Sequence, residues 1–267
     1  MTAAPQTFMP APLITLLTDF GEGDAFVGIL KGALLSRLPE ARLVDLSHQP
    51  PSGDAAADRF RAALLLRRVY GYYPAGTLHL VGQDAGDGSG RALLARAGGQ
   101  TFLAADTGVL GLVLEREPEA RVFAGRPPEA MAPATFLARD VLVDWAARLA
   151  GGIPPEELAP PAADWRRLHL PLPVWESATL RGQVLHVDTF GNVLTNFTPA
   201  SLPGAWSWRQ LEIAGAAITT RHAAYAHARP GELFLIWGAE GWLEISLRHA
   251  SAARRLGVRP GTEVVLR

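Results

Sequence analysis

The chain has 267 residues, 48% of them hydrophobic and 19% charged, with a formal net charge of −1 and no cysteine. A near-neutral balance with no basic stripe interleaved with aromatics gives nucleic acid or an anionic membrane surface nothing to bind electrostatically, and leaves a small-molecule ligand. Without cysteine there are no disulfides, no thiolate metal sites and no thiol nucleophile, and the length favours two domains over one.

Residues 1–12 lack a basic segment followed by an apolar one and read as a flexible tail, so a cytoplasmic location is expected. No stretch reaches the roughly 18 apolar residues that span a bilayer. Leu13 to Thr18 is an apolar run stopped by Asp19 and turned by Gly21, the pattern of a buried strand delivering a carboxylate to its carboxyl end. In open α/β sheets that end is where ligands bind, although Asp19 could equally cap the helix that follows. From Asp24 to Leu38, Phe26, Ile29, Leu30, Ala33, Leu34 and Leu38 share one helical face, predicted to cover the first strand. Arg42 to Ser47 is a second strand ending at His48, and Asp54 caps a helix to about Tyr70. The alternation predicts an α/β domain with a mostly parallel central sheet.

Thr77 to Gln83 is a third strand, running into Asp84-Ala85-Gly86-Asp87-Gly88-Ser89-Gly90-Arg91. The small residues of that turn allow close backbone approach to a ligand, while two aspartates and the lack of Gly-Lys-Ser/Thr make it a poor phosphate cradle. The plainer reading is a polar turn in which Asp84 and Arg91 form a surface pair. Arg91 to Ala97 and Gln100 to Ala104 are predicted as strands paired through Gly98-Gly99, Asp106-Thr107-Gly108 opens a short helix, and a further helix runs to about Ala150. Gly151 to Val174 carries six prolines and little periodicity. The predicted organisation is therefore a tail (1–12), an α/β domain (13–152), a proline-rich linker (153–177) and a smaller all-β, barrel-like domain (178–267) of short strands between Gly, Pro and Asp turns. Within the last, Asp188-Thr189-Phe190-Gly191-Asn192 gathers a carboxylate, an aromatic ring and an amide, a set able to read a purine edge and stack on its face, or simply a turn.

Taken together, Leu17-Thr18-Asp19-Phe20-Gly21, Asp45-Leu46-Ser47-His48, Asp84 to Arg91, Thr135-Phe136 with Arg139-Asp140, and Val187-Asp188 with Phe190-Gly191-Asn192 and Thr195-Asn196 resemble the S-adenosylmethionine hydroxide adenosyltransferase family, which is related to enzymes that fluorinate or chlorinate the same substrate. The resemblance runs in order from about residue 13 to the C-terminus. It implies hydrolysis of S-adenosylmethionine to adenosine and methionine by a homotrimer, with the substrate held between subunits and no cofactor or metal. It further implies that Asp84 and Arg91 hold the attacking water, Asp19 the ribose hydroxyls, Asp188 the methionyl ammonium, Asn192 the adenine edge, and Phe190 and Tyr225 the adenine faces. Where the family carries a histidine after Thr135-Phe136, this chain has Leu137. That difference leaves two alternatives open: an adenosyl-binding protein with weakened turnover, and a halogenase.

Overall fold

Buried β-branched and leucine residues after Pro12 form β1 (Leu13–Thr18), with every residue from Ile14 to Thr18 buried. The computed structural model describes residues 11–83, 90–126, 136–202 and 208–267, and the chain divides into two units at 169/170. Asp84 and Thr135 lie outside the described residues.

In the first unit β1 is followed by α1 (Phe26–Arg37), β2 (Arg42–Ser47), α2 (Ala55–Val69), β3 (Leu78–Gly82), β4 (Ala92–Ala97), β5 (Gln100–Ala105), α3 (Gly111–Leu114), β6 (Arg121–Gly125) and α4 (Val143–Ala150). The sheet order is β2-β1-β3-β5-β4-β6. β2, β1, β3 and β5 run parallel, while β4 is antiparallel to both β5 and β6. This is the predicted α/β sheet with an antiparallel edge added. Asp54 caps α2 as expected, its Oδ1 accepting from the N–H groups of Ala56 and Ala57 at 3.0 Å each.

Alternation along β1 sends Ile14 and Leu16 to the face covered by α1 and α4, where they join Leu30, Leu34, Leu80, Leu103 and Trp145. The predicted stripe on α1 is narrower than its spacing suggests. Leu30 and Leu34 are fully buried, whereas Phe26 and Ile29 are 45% and 43% exposed, because the helix meets the sheet along only part of that face.

The opposite face carries a polar network beneath α2. Thr15 Oγ1 donates to His79 Nδ1 at 2.7 Å and His79 Nε2 donates to Gln100 Oε1 at 2.9 Å. Gln100 Nε2 in turn donates to the carbonyls of Tyr70 and Tyr73 at 3.1 and 2.7 Å. The imidazole stacks on Phe102 at 4.7 Å and is wholly buried. Burial pulls the His79 pKa down to about 4, against the opposing pull of Gln100.

Part of the proline-rich stretch packs on the first unit. Ala159 is buried, Ala124 N–H donates to the Pro160 carbonyl at 3.1 Å, and Ala162 N–H donates to the Val122 carbonyl at 2.9 Å.

The second unit contains β7 (Val174–Glu176), β8 (Thr179–Val187), β9 (Val193–Thr195), β10 (Leu211–Ile213), β11 (Ala216–Ile218), β12 (Leu233–Trp237), β13 (Leu243–Leu247), α5 (Ala252–Leu256) and β14 (Glu263–Leu266). The strands lie in the order β11-β10-β14-β8-β9-β13-β12, with β7 also on β8. The two ends of this path approach each other: Leu235 N–H donates to the Thr220 carbonyl at 2.9 Å and His222 N–H to the Leu235 carbonyl at 3.0 Å. The result is a nearly closed antiparallel barrel around Phe197, Leu211, Leu235, Ile245 and Val264. Among the described residues no helix is long and apolar enough to cross a membrane.

Candidate functional site

Parallel pairing aligns the carboxyl ends of the strands in the first unit. Thr18 is in register with Gly82, and Val81 with Ala104, so the residues that follow β1, β3 and β5 converge on one edge of the sheet. A cavity of about 480 Å³ opens there, lined by Asp19, Phe20, Gly82, Gln83, Leu137 and Arg139 among others. A Cβ on Gly82 would lie 3.0 Å from Thr18 Cγ2 and 3.1 Å from Phe20 Cζ, so the glycine allows the end of β1 and the ring after it to close against β3. Phe136 meets Phe20 edge-on at 5.1 Å and Phe26 at 5.7 Å. Phe26, read from its spacing as core, therefore faces the cavity.

The wall beyond Phe136 is a π-helical turn, Ala138–Leu142, in which Val143 N–H reaches back to the Ala138 carbonyl. Arg139 donates to Asp140 through Nε at 2.6 Å and Nη2 at 2.9 Å, and its guanidinium lies 5.2 Å over the Phe136 ring. Leu137 and Ala138 contribute carbon to the same wall.

Behind Asp19 the end of β1 is tied by a chain of polar contacts. Thr18 Oγ1 donates to His48 Nδ1 at 2.7 Å, His48 Nε2 faces Asp45 Oδ1 at 3.0 Å, and Asp45 Oδ2 accepts from Lys31 Nζ at 2.6 Å. Thr18 and His48 are each 5% exposed. Partial burial would raise the Asp45 pKa, but the hydrogen bond from Lys31 and the neighbouring His48 ring outweigh it and hold the carboxyl below its usual range.

Arg91 immediately precedes β4, whose first residue pairs with Ala105, so the antiparallel strand brings the arginine to the same sheet edge. Its Nη1 donates to Asp106 Oδ2 at 3.1 Å, and its Nη2 donates to Asp164 Oδ1 at 2.6 Å. The hydrogen bond to Asp164, helped by the Asp106 carboxylate and only partly opposed by burial, raises the guanidinium pKa and keeps it charged. Asp106 is 3% exposed and also accepts the Arg166 N–H at 2.8 Å. Arg91 is not among the residues lining the 480 Å³ cavity, and its predicted partner Asp84 is not described.

In the second unit Asp188, Phe190, Asn192 and Tyr225 all line one cavity of about 590 Å³. The turn is organised by its own carboxylate: Asp188 Oδ1 accepts from the N–H groups of Phe190 at 2.9 Å and Asn192 at 2.8 Å, and Oδ2 accepts from Asn192 Nδ2 at 2.9 Å. The turn and binding readings of this cluster are thus compatible. Phe190 is 80% exposed. Tyr225 Oη donates to Glu244 Oε2 at 2.6 Å, and burial, then that carboxylate, push the phenol pKa up. Arg248, His249 and Arg254 share the cavity; they follow β13 or lie on α5 and carry no local motif in the sequence.

Gly191 locks this turn. It has φ +87°, and a Cβ there would fall 2.1 Å from Ser251 Oγ and 2.7 Å from Ser251 Cα. Gly191→Ala is therefore expected to cost about 2 kcal/mol of stability through overpacking and a disfavoured backbone conformation. Urea unfolding checks this, and a midpoint equal to the parent's would show that the contact yields freely.

Residues 14–159 match the family described as SAM hydroxide adenosyltransferase N-terminal domain, and residues 182–265 match its C-terminal domain. The chain is 32% identical over 263 residues to an (R)-S-adenosyl-L-methionine hydrolase of Thermus thermophilus, covering 95% of this chain and 98% of that protein. It is also 32% identical to an (R)-S-adenosyl-L-methionine hydrolase of Salinispora tropica, covering 94% and 96% respectively. A crystal structure of an uncharacterized conserved protein from Thermotoga maritima is similar with a TM-score of 0.81 at 28% identity, covering 95% of this chain and 99% of that one.

Proposed function

This chain belongs to the SAM hydroxide adenosyltransferase family, and from that premise we propose that it hydrolyses S-adenosyl-L-methionine to adenosine and L-methionine. The observation that carries the reading is that Tyr225 joins the turn residues Asp188, Phe190 and Asn192, which lie 33 residues or more before it in the chain, on one cavity in the second unit. In the first unit, Asp19 lines a cavity at the carboxyl ends of the parallel strands.

The chemistry asks little of a leaving-group acid. Attack of water at the 5′ carbon breaks the C–S bond, the bonding pair goes to sulfur, and a neutral thioether departs. One proton must leave the water. A carboxylate and a guanidinium can align that water and assist its deprotonation, the roles assigned to Asp84 and Arg91. In this scheme Asp19 binds the ribose hydroxyls and Asp188 the methionyl ammonium, while Asn192 reads the adenine edge between Phe190 and Tyr225. Homotrimeric assembly belongs to the same proposal.

The test is incubation of the purified protein with S-adenosyl-L-methionine, with and without chloride, followed by chromatography. Equal amounts of adenosine and methionine are expected in both. Chloroadenosine in the chloride sample, or tight calorimetric binding with no product, would overturn hydrolysis.

A further inference from the structure

S-adenosyl-L-methionine carries a carboxylate, for which the contacts proposed to ribose, ammonium and adenine provide no partner. The 590 Å³ cavity of the second unit is lined by two arginines, Arg248 and Arg254. Arg248 is half-buried and Arg254 exposed, and among the described residues neither guanidinium has a hydrogen bond or an ion pair. A half-buried guanidinium gives up part of its hydration, and without a partner the loss is not offset inside the protein. Asp188 is the one carboxylate lining this cavity among the described residues, and three hydrogen bonds from its own turn hold it. Two guanidinium groups against one carboxylate leave the cavity cationic, and an anionic group on the ligand would balance it.

Arg248 is placed by its backbone. Its N–H donates to the Glu232 carbonyl at 3.1 Å, and its carbonyl accepts from Gly231 N–H at 2.9 Å. His249 follows in a left-handed conformation, φ +64°, and Ala250 N–H closes the turn on the Leu247 carbonyl at 3.2 Å. Residues other than glycine take that conformation at a cost, so the surrounding structure imposes this turn. The side chain contributes none of these bonds and is left to the cavity.

We propose that Arg248, assisted by Arg254, forms a subsite for an anionic group carried by an adenosyl ligand. The inference rests on reading the second unit as the adenosyl site, through Asp188, Phe190, Asn192 and Tyr225, and adds the charge that selects among adenosyl compounds. In S-adenosyl-L-methionine that group is the methionyl carboxylate, and in an adenine nucleotide it is the phosphate. A guanidinium can meet either through two parallel N–H donors. No bond is made or broken at this subsite; it acts on affinity and on which ligand is chosen.

The experiment titrates four ligands calorimetrically into wild type, Arg248→Met, Arg248→Lys and the Arg248→Met/Arg254→Met pair: S-adenosylhomocysteine, its decarboxylated form, adenosine 5′-monophosphate and adenosine. None has a sulfonium leaving group, so none is consumed. Wild type is expected to bind S-adenosylhomocysteine about 10- to 100-fold more tightly than its decarboxylated form. Arg248→Met, which keeps the apolar stem, should bring the two within about threefold, and Arg248→Lys should retain part of the preference. A urea midpoint equal to the parent's shows that the variants are folded. The same preference for adenosine 5′-monophosphate over adenosine, lost in the same variant, would extend the subsite to phosphate; a preference confined to the first pair assigns it to carboxylate. Wild type that binds the members of each pair equally, or a preference that persists with both arginines replaced, would overturn the subsite. Incubation with S-adenosyl-L-methionine runs in parallel. Preference without adenosine release would overturn hydrolysis and leave the subsite, and release without preference the reverse. Failure of all four ligands to bind would overturn the adenosyl reading of this cavity and the subsite with it.

Discussion

Asp84→Ala is expected to slow adenosine release by about 10²- to 10⁴-fold, the range that an assisting carboxylate contributes to proton removal. The reason lies in how the reaction divides its demands. The sulfonium departs as a neutral thioether, so little is gained by helping it leave, and the barrier lies in aligning and activating a neutral water. A carboxylate does both, accepting a hydrogen bond and drawing the proton as the C–O bond forms. Because that interaction strengthens in the transition state, the loss should fall on kcat, with the calorimetric affinity for S-adenosyl-L-methionine within a few-fold of wild type. Asp84→Asn should retain alignment without charge and fall between the two. A purified Asp84→Ala protein that releases adenosine at the parental rate would remove Asp84 from the mechanism.

The second large effect concerns stability. In the unfolded chain His79 takes up its proton near pH 6.5, whereas the folded protein resists protonation until about 4. Between these values the unfolded state binds more protons, so stability falls as pH drops from above 6.5 and the loss is complete below 4. The gap from 6.5 to about 4 corresponds to about 3 kcal/mol. The structural origin is that both ring nitrogens are already satisfied in the neutral form, by Thr15 and Gln100, and among the described residues no charged group is bonded to the ring. Urea unfolding at pH 8 and pH 4 should show wild type losing about 3 kcal/mol more than His79→Gln, whose carboxylates titrate identically. Equal losses in the two proteins would show that His79 does not govern acid stability.

Much of this architecture is written locally in the chain. Leu13 to Thr18 announces a strand because an apolar run ends on a polar pair and a glycine, and Asp54 announces α2 by capping it. What depends on convergence is not local. Tyr225 joins Asp188 only because the barrel brings the segment before β12 beside the β8–β9 turn, and only the family resemblance pointed to it. Arg91 is held by Asp164, 73 residues away in a stretch whose prolines read as linker. Phe26 shows the limit of periodicity: helical spacing predicts that a side chain shares a face with Leu30, but not whether that face meets a sheet or borders a cavity.

The π-helical turn at Ala138–Leu142 has a consequence best expressed in chain length. An α-helix advances about 100° per residue, so one extra residue in a turn rotates everything before it by about that angle relative to the helix that follows. Here the helix that follows is α4, fixed to the core by Val143, Trp145 and Ala146, and what precedes it is the cavity wall of Phe136 and Leu137. Point substitutions within the turn can change the chemistry of that wall and leave its orientation alone. Loss of a single residue would heal the helix and turn the wall away, making residue number, rather than residue identity, the quantity that sets which side chains line the cavity.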